Sequence, residues 1–260
     1  MPDKIPEAVA LDPKAQRIAD RKRWMGAFNL SLAAVLLLLV IHSLQGAVDL
    51  RGWMVQPWST AGLLGILGAP LLHGSFEHLA ANAISLLMLG TLAGGMYPRA
   101  TVRALPLMWF GSGAGAWLLG EAGSYHLGAS GITHGLMFLV FILGLLRRDR
   151  PAIAAAMIAF FLYGGMLLTI FPREIGVSWQ AHMGGALGGV LAAFLWRRLD
   201  PRQPRRKYSW EIEEELAEAD ALNPDPEGLE LRASDDVPVL WHRPDPADER
   251  GVVLPFRRRD

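Results

Sequence analysis

The sequence predicts an all-α polytopic membrane protein, a bundle of six transmembrane helices, and three observations carry that prediction. Charge-free runs long enough to cross a bilayer recur along the chain. The charged residues gather between and beyond those runs. Threaded through a membrane, the basic clusters can all be placed on one side of it.

Residues 1–23 are polar and finish in the basic set Lys14, Arg17, Arg21, Lys22 and Arg23, which reads as a cytoplasmic segment. The charge-free run Trp24 to Val48 follows and predicts a first span over 26–46. Its long charged lead, with no small-residue cleavage site after it, makes it a retained anchor and not a secretory signal. Further charge-free runs cover His78 to Pro98, Ala104 to Gly120, Ala122 to Leu146, Ala152 to Pro172 and Ile175 to Trp196. They predict spans over 78–97, 103–121, 129–147, 151–171 and 176–197, each near the roughly 20 residues that cross a bilayer.

Gly52 to Phe76 is also free of charge, but Pro57, Pro70, Gly62, Gly65 and Gly68 interrupt it. Charge parity decides its place. If it does not cross, Arg99/Arg103, Arg147/Arg148/Arg150 and the cluster Arg197 to Lys207 all share the side of the basic N-terminus; if it crosses, all three flip outward. It is therefore expected as a structured outer loop, with Trp53 and Trp58 at the interface and a short apolar piece dipping into the outer leaflet. Both termini then face the cytoplasm, in a bacterial inner membrane. Residues 24–199 form the membrane domain. From residue 200 to 260 the composition turns to proline and charge, which reads as a mostly disordered cytoplasmic tail with one short helix over 209–219, capped by Ser209.

Composition narrows the function classes. Lys and Arg number 25 against 25 Asp and Glu, so net charge gives no reason to expect a nucleic-acid partner; the lipid bilayer is the partner that 52% hydrophobic content requires. With no cysteine, disulfides, thiolate catalysis and Cys-bound zinc are excluded. No repeat of fixed period is visible, which argues against an inverted-repeat transporter.

The second, fourth and sixth predicted spans run in the same direction, so depth can be measured from the basic residue that ends each. At about 1.5 Å per residue, Asn82 lies roughly 25 Å above Arg99, Ser130 roughly 25 Å above Arg147 and His182 roughly 22 Å above Arg197. Three polar side chains thus share one layer just beneath the outer surface, although polar groups in spans are costly and face the bundle interior. Ser130 offers a nucleophile and His182 a base. His78 and Asn82, four apart, lie on one helix face and point donors at one place, as an oxyanion site requires, with the Ser130 backbone amide at a helix start as a further donor. His73 is about 140° round a helix from His78 and is assigned to a loop. Gly131 and Gly135 on one helix and Gly185 and Gly189 on another form small-residue faces that allow close backbone approach. Helix packing alone accounts for such faces equally well.

His73-x4-His78-x3-Asn82, Gly128-Ala129-Ser130-Gly131 and Ala181-His182-x2-Gly185-x3-Gly189, in that order, resemble the rhomboid intramembrane serine proteases over residues 27–196. The resemblance implies a rhomboid-like bundle cleaving transmembrane protein substrates near the outer membrane face, without cofactor or metal. Ser130 is implied as nucleophile, His182 as its base without a third acidic member, and His78, Asn82 and the Ser130 amide as the oxyanion site. Gly128, Gly131, Gly185, Gly189 and His73 are supporting residues. The chain departs from the family pattern at His134, where an aromatic residue often stacks on the catalytic histidine. An imidazole can stack as well, and at i+4 it also leans back toward Ser130, so a same-helix pair is the competing base assignment.

A histidine metal site is the rival chemistry, but His73 and His78 are five apart where zinc hydrolases commonly set two histidines four apart, and no buried carboxylate accompanies them. The non-enzymatic rival is a rhomboid-like scaffold that binds transmembrane clients; the presence of Ser130, His182, His78 and Asn82 together favours catalysis. Tyr163 and Thr169 are read as packing residues.

Overall fold

The structure, a computed structural model, describes residues 13–174, 176–201 and 209–222. It is an all-α integral membrane bundle. Six long helices make it up: α1 (Pro13–Leu44), α2 (Phe76–Met96), α3 (Pro98–Leu119), α4 (Ser130–Arg147), α5 (Arg150–Tyr163) and α6 (Trp179–Trp196). A separate helix, α7 (Ser209–Leu222), lies in a second unit, Arg205–Asp260. Among the described residues the only β-type pairing is an isolated bridge between Val55 and His126.

Helix limits follow local chemistry. The Ser75 hydroxyl accepts from His78 N at 3.2 Å and caps α2, with Glu77 in its first turn against the helix dipole. Pro98 opens α3, and its first amides are capped from far along the chain: Asp200 accepts from Arg99 N at 3.0 Å and from Ala100 N at 2.9 Å. Asp149 and Ser178 cap α5 and α6. Arg148, at φ 57°, ends α4 in the left-handed conformation.

Four limits differ from those expected, among them the start of α3, at Pro98 and not near residue 103. Helix α1 begins at Pro13, well before the apolar run, and carries the basic residues on its first turns; Asp20 and Arg23 pair there at 3.1 Å. Helix α5 stops at Tyr163 and not near residue 171, because Gly164-Gly165 break it and a 3-10 turn, Gly164–Leu167, follows. Helix α7 reaches Leu222, past the expected 219. The remainder of the expected tail lies outside the described residues.

Gly52 to Phe76 folds as short helical turns, Ala61–Leu63, Gly65–Gly68 and Ala69–Leu71, each too short to cross a bilayer. Trp53 and Trp58 are exposed. By length and composition alone, Lys14–Leu44, Phe76–Met96, Ser130–Arg147 and Arg150–Leu167 are apolar enough to span a membrane. Arg99 and Arg103 in α3, and Gln180 and His182 in α6, lower the hydropathy of those two helices.

Lipid supplies no hydrophobic drive between helices, so close packing of small residues has to hold them together. Gly111 and Gly115 of α3 meet Gly184 and Gly188 of α6, and Gly131 and Gly135 of α4 meet Gly185 and Gly189. A Cβ added at Gly111 would lie 2.6 Å from the Gly184 carbonyl oxygen, and one at Gly185 would overlap that of Gly131. Helix α4 is the centre of the bundle: 67% of its residues are buried, against 22% of the Arg150–Leu167 stretch. Gly90, Gly94 and Gly95 of α2 receive Ser31, Ala27 and Trp24 of α1.

Gly185→Val should therefore force α4 and α6 apart and destabilise the protein by about 1–3 kcal/mol or more, read as a lower unfolding midpoint in detergent. Gly26→Ala, where an added Cβ meets nothing within 4 Å, should leave the midpoint unchanged or slightly raised.

Candidate active site

Ser130 is the first residue of α4, and the segment before it is held from three directions. Gly128 N donates to the Ala69 carbonyl at 2.8 Å, and Ala129 N donates to His73 Nε2 at 3.5 Å. His126 and Val55 exchange backbone bonds of 3.0 and 2.9 Å. Gln45 fixes His73 in turn: its amide nitrogen donates to the His73 carbonyl and its oxygen accepts from His73 N, both at 3.0 Å. Gly128 has φ +118°, and a Cβ there would stand 2.6 Å from His78 Cε1, so glycine is required both by conformation and by space.

His182 reaches Ser130 from α6, with Nε2 2.8 Å from the serine Oγ. Its Nδ1 lies 3.0 Å from the Thr169 carbonyl oxygen. A carbonyl only accepts, so Nδ1 carries the proton, and Nε2 is the bare nitrogen that accepts from the Ser130 hydroxyl. The imidazole is thereby set in the tautomer that a general base needs.

His134 packs face to face on His182, with ring centroids 3.9 Å apart and planes at 14°. Its Nδ1 donates to the Ser130 carbonyl oxygen at 2.6 Å, and its Nε2 lies 2.8 Å from the Thr169 hydroxyl, which is also 3.1 Å from the Met166 carbonyl oxygen. The same-helix approach of His134 to Ser130 thus ends on the main chain and not on the hydroxyl. Both rings are buried, and both are tied to Thr169.

Asn82 is buried, and its Nδ2 has no hydrogen-bond partner among the described residues. His78 is half-buried and stands edge-on to His73 at 5.2 Å. Asn82 Nδ2 and His78 both flank Gly128, within 3.6 Å of the position its Cβ would take. The Ser130 N–H, in the first turn of α4, has no intrahelical acceptor. Asn82 Nδ2 and the His78 ring thus stand beside Gly128, two residues before the serine. His73 is fully buried in its loop; desolvation, with His78 and His42 nearby, lowers its pKa from the ordinary 6.5 to about 4.

Two contributors escape the sequence reading. Thr169, taken there as a packing residue, supplies both the carbonyl to His182 and the hydroxyl to His134. Gln45, at the end of the first helix, had drawn no notice. Neither lies in a recognisable spacing; the Gly164-Gly165 pair, which ends α5 and frees the carbonyls beyond it, was the available hint.

The family model described as Rhomboid domain matches residues 60–199. The curated relatives include the protein named Uncharacterized protein Rv1337 of Mycobacterium tuberculosis, 40% identical over 190 residues, covering 67% of this chain and 77% of the relative. Another, Uncharacterized protein ML1171 of Mycobacterium leprae, is 36% identical over 187 residues, covering 67% and 73%.

The buried neutral His73 makes the serine loop sensitive to acid. Its folded pKa lies below that of the unfolded chain, so its stabilisation is present above pH 6.5 and is lost as pH falls from 6.5 towards about 4. In a Ser130→Ala background the unfolding midpoint should drop across that window, and His73→Gln should shrink the drop.

Proposed function

The chain belongs to the rhomboid family, and from that premise we propose that it is an intramembrane serine endopeptidase acting on proteins that themselves span the membrane. The observation that carries the reading is the 2.8 Å contact between Ser130 Oγ and His182 Nε2, with the tautomer set by Thr169.

In this reaction His182 takes the Ser130 proton as the hydroxyl oxygen attacks a client carbonyl. The tetrahedral oxyanion is met by Asn82 Nδ2, the His78 ring and the Ser130 N–H. The imidazolium, its Nδ1–H held by the Thr169 carbonyl, then protonates the departing amine. Water enters from the outer face and attacks the acyl-enzyme; the proton returns through His182, and Ser130 is restored. A carbonyl dipole and a stacked neutral ring do the orienting that an aspartate does in soluble triads. His134 acts as a positioning residue through its stack.

The six long helices cross the membrane with α2, α4 and α6 running inward from the outer face, which puts Asn82, Ser130 and His182 at one depth. An intact helix hides its scissile carbonyls in i to i+4 bonds, so a client has to unwind first, and small or helix-weakening residues near the outer surface favour that. The loosely buried α5 and the loop over 52–76 are the elements that move to admit client and water.

Ser130→Ala should abolish cleavage of a reconstituted transmembrane substrate while leaving the unfolding midpoint in place; cleavage by the variant would falsify the nucleophile. His182→Ala should be equally inactive. His134→Phe, which keeps a stacking ring, should retain measurable turnover, and the reverse order of these two would make His134 the base. Asn82→Ala should lower kcat by about 10²–10³ with little change in KM. Acidification should silence the wild type as the base protonates, read as kcat against pH on the reconstituted substrate.

A further inference from the structure

At the opposite end of the bundle from Ser130, the C-terminal ends of α4 and α6 border an open cavity of about 480 Å³. Leu146 and Arg147 line it from α4, and Arg197, Arg198, Asp200 and Pro201 from the segment after α6. The three guanidinium groups differ in what they do. Arg147 is buried and committed to the fold: Nη1 donates to the Asp200 carbonyl at 3.0 Å, Nη2 to that of Pro201 at 3.1 Å and Nε to Asp149 at 3.3 Å, while its guanidinium carbon lies 5.3 Å from the centroid of the Tyr97 ring. The Asp200 carboxylate is committed as well, both oxygens accepting from the first amides of α3. Arg197 and Arg198 are exposed, and among the described residues neither makes an ion pair or a side-chain hydrogen bond.

Arg147 and Asp200 in the wall of the cavity are thus satisfied internally, and the charge left over at its mouth is two adjacent guanidinium groups without a partner among the described residues. Part of that charge offsets the negative poles of the two helix C-termini, but a dipole end amounts to only about half a unit charge. A planar guanidinium fork matches two oxygens of a phosphate, and the ends of membrane helices lie where phospholipid headgroups begin. The cavity volume falls in the range of about 300–1,000 Å³ usual for small-ligand sites. We propose that this cavity is a phosphate-binding site, in which Arg197 and Arg198 grip the phosphate of an anionic phospholipid headgroup seated between the ends of α4 and α6. The buried Arg147 positions the 197–201 segment that carries them.

The full-length protein in zwitterionic detergent can be titrated with phosphatidylglycerol, phosphatidylcholine or inorganic phosphate, counting bound molecules by native mass spectrometry. The wild type should hold one phosphatidylglycerol in preference to phosphatidylcholine. Arg197→Gln/Arg198→Gln should weaken that binding about 30-fold, at about fivefold per basic residue. Arg103→Gln removes an exposed arginine outside the cavity and should change binding less than about twofold. Arg198→Gln alone serves if the double variant does not fold, with about fivefold weakening expected. If inorganic phosphate competes, the phosphate group is enough for recognition; if it does not, the lipid chains are part of the ligand, and either result keeps the site. Equal binding of the two lipids with no phosphate bound, or equal weakening by Arg103→Gln and the cavity variants, would overturn it.

Discussion

A hydroxyl on one membrane helix and an imidazole on another can share a proton only if their backbones come closer than ordinary side chains allow. That close approach is the constraint on which the rest of the structure depends. Gly131 and Gly135 against Gly185 and Gly189 remove the Cβ atoms that would strike the facing backbone of α4 and α6, and the 2.8 Å contact of Ser130 with His182 lies at the end of that seam. The glycines of α3 repeat the device on the other side of α6, so the histidine-bearing helix is seated between two helices with almost no side-chain padding. In lipid, where burial of apolar surface gives helices no reason to associate, this packing is both the source of cohesion and the means of alignment.

Around that contact the polar groups form a closed set. Thr169 receives the His182 Nδ1–H on its carbonyl and sets its hydroxyl beside His134, and His134 returns to the Ser130 carbonyl. Each ring nitrogen of both histidines therefore has a partner, and among the described residues no carboxylate takes part. A buried carboxylate would carry a full charge into a region where charge is expensive, whereas a carbonyl dipole and a stacked neutral ring orient the base at much lower desolvation cost. Beside Gly128, Asn82 Nδ2 is buried without a partner among the described residues.

Much of this was legible in the sequence because hydropathy and small-residue spacing record it directly. The limits of α4 were expected within a residue, and the residues that share one depth by counting from Arg99, Arg147 and Arg197 are those gathered around Gly128 and Ser130. What escaped has physical causes. Thr169 works through its main-chain carbonyl, which no side-chain pattern encodes, in a stretch that was expected to be helix and is not. Gln45 holds His73 across 28 positions, and Asp200 caps α3 across 100, separations at which one sequence carries no local signal. The early start of α1 was hidden because charge was taken to mark the end of the helix, although a helix can carry charge into water on its first turns.

The cap on α3 sets an order of events during synthesis. The corner between α2 and α3 turns within a single residue, Tyr97, and leaves the Ala100 amide buried, with its acceptor on a carboxylate that the ribosome adds only after α6. Until residue 200 emerges, a nascent bundle carries an open seam at that corner. Closing the seam ties the segment after α6 to the start of α3, so a chain that stops short of Asp200 leaves the Arg99 and Ala100 amides without the acceptor they have in the finished protein.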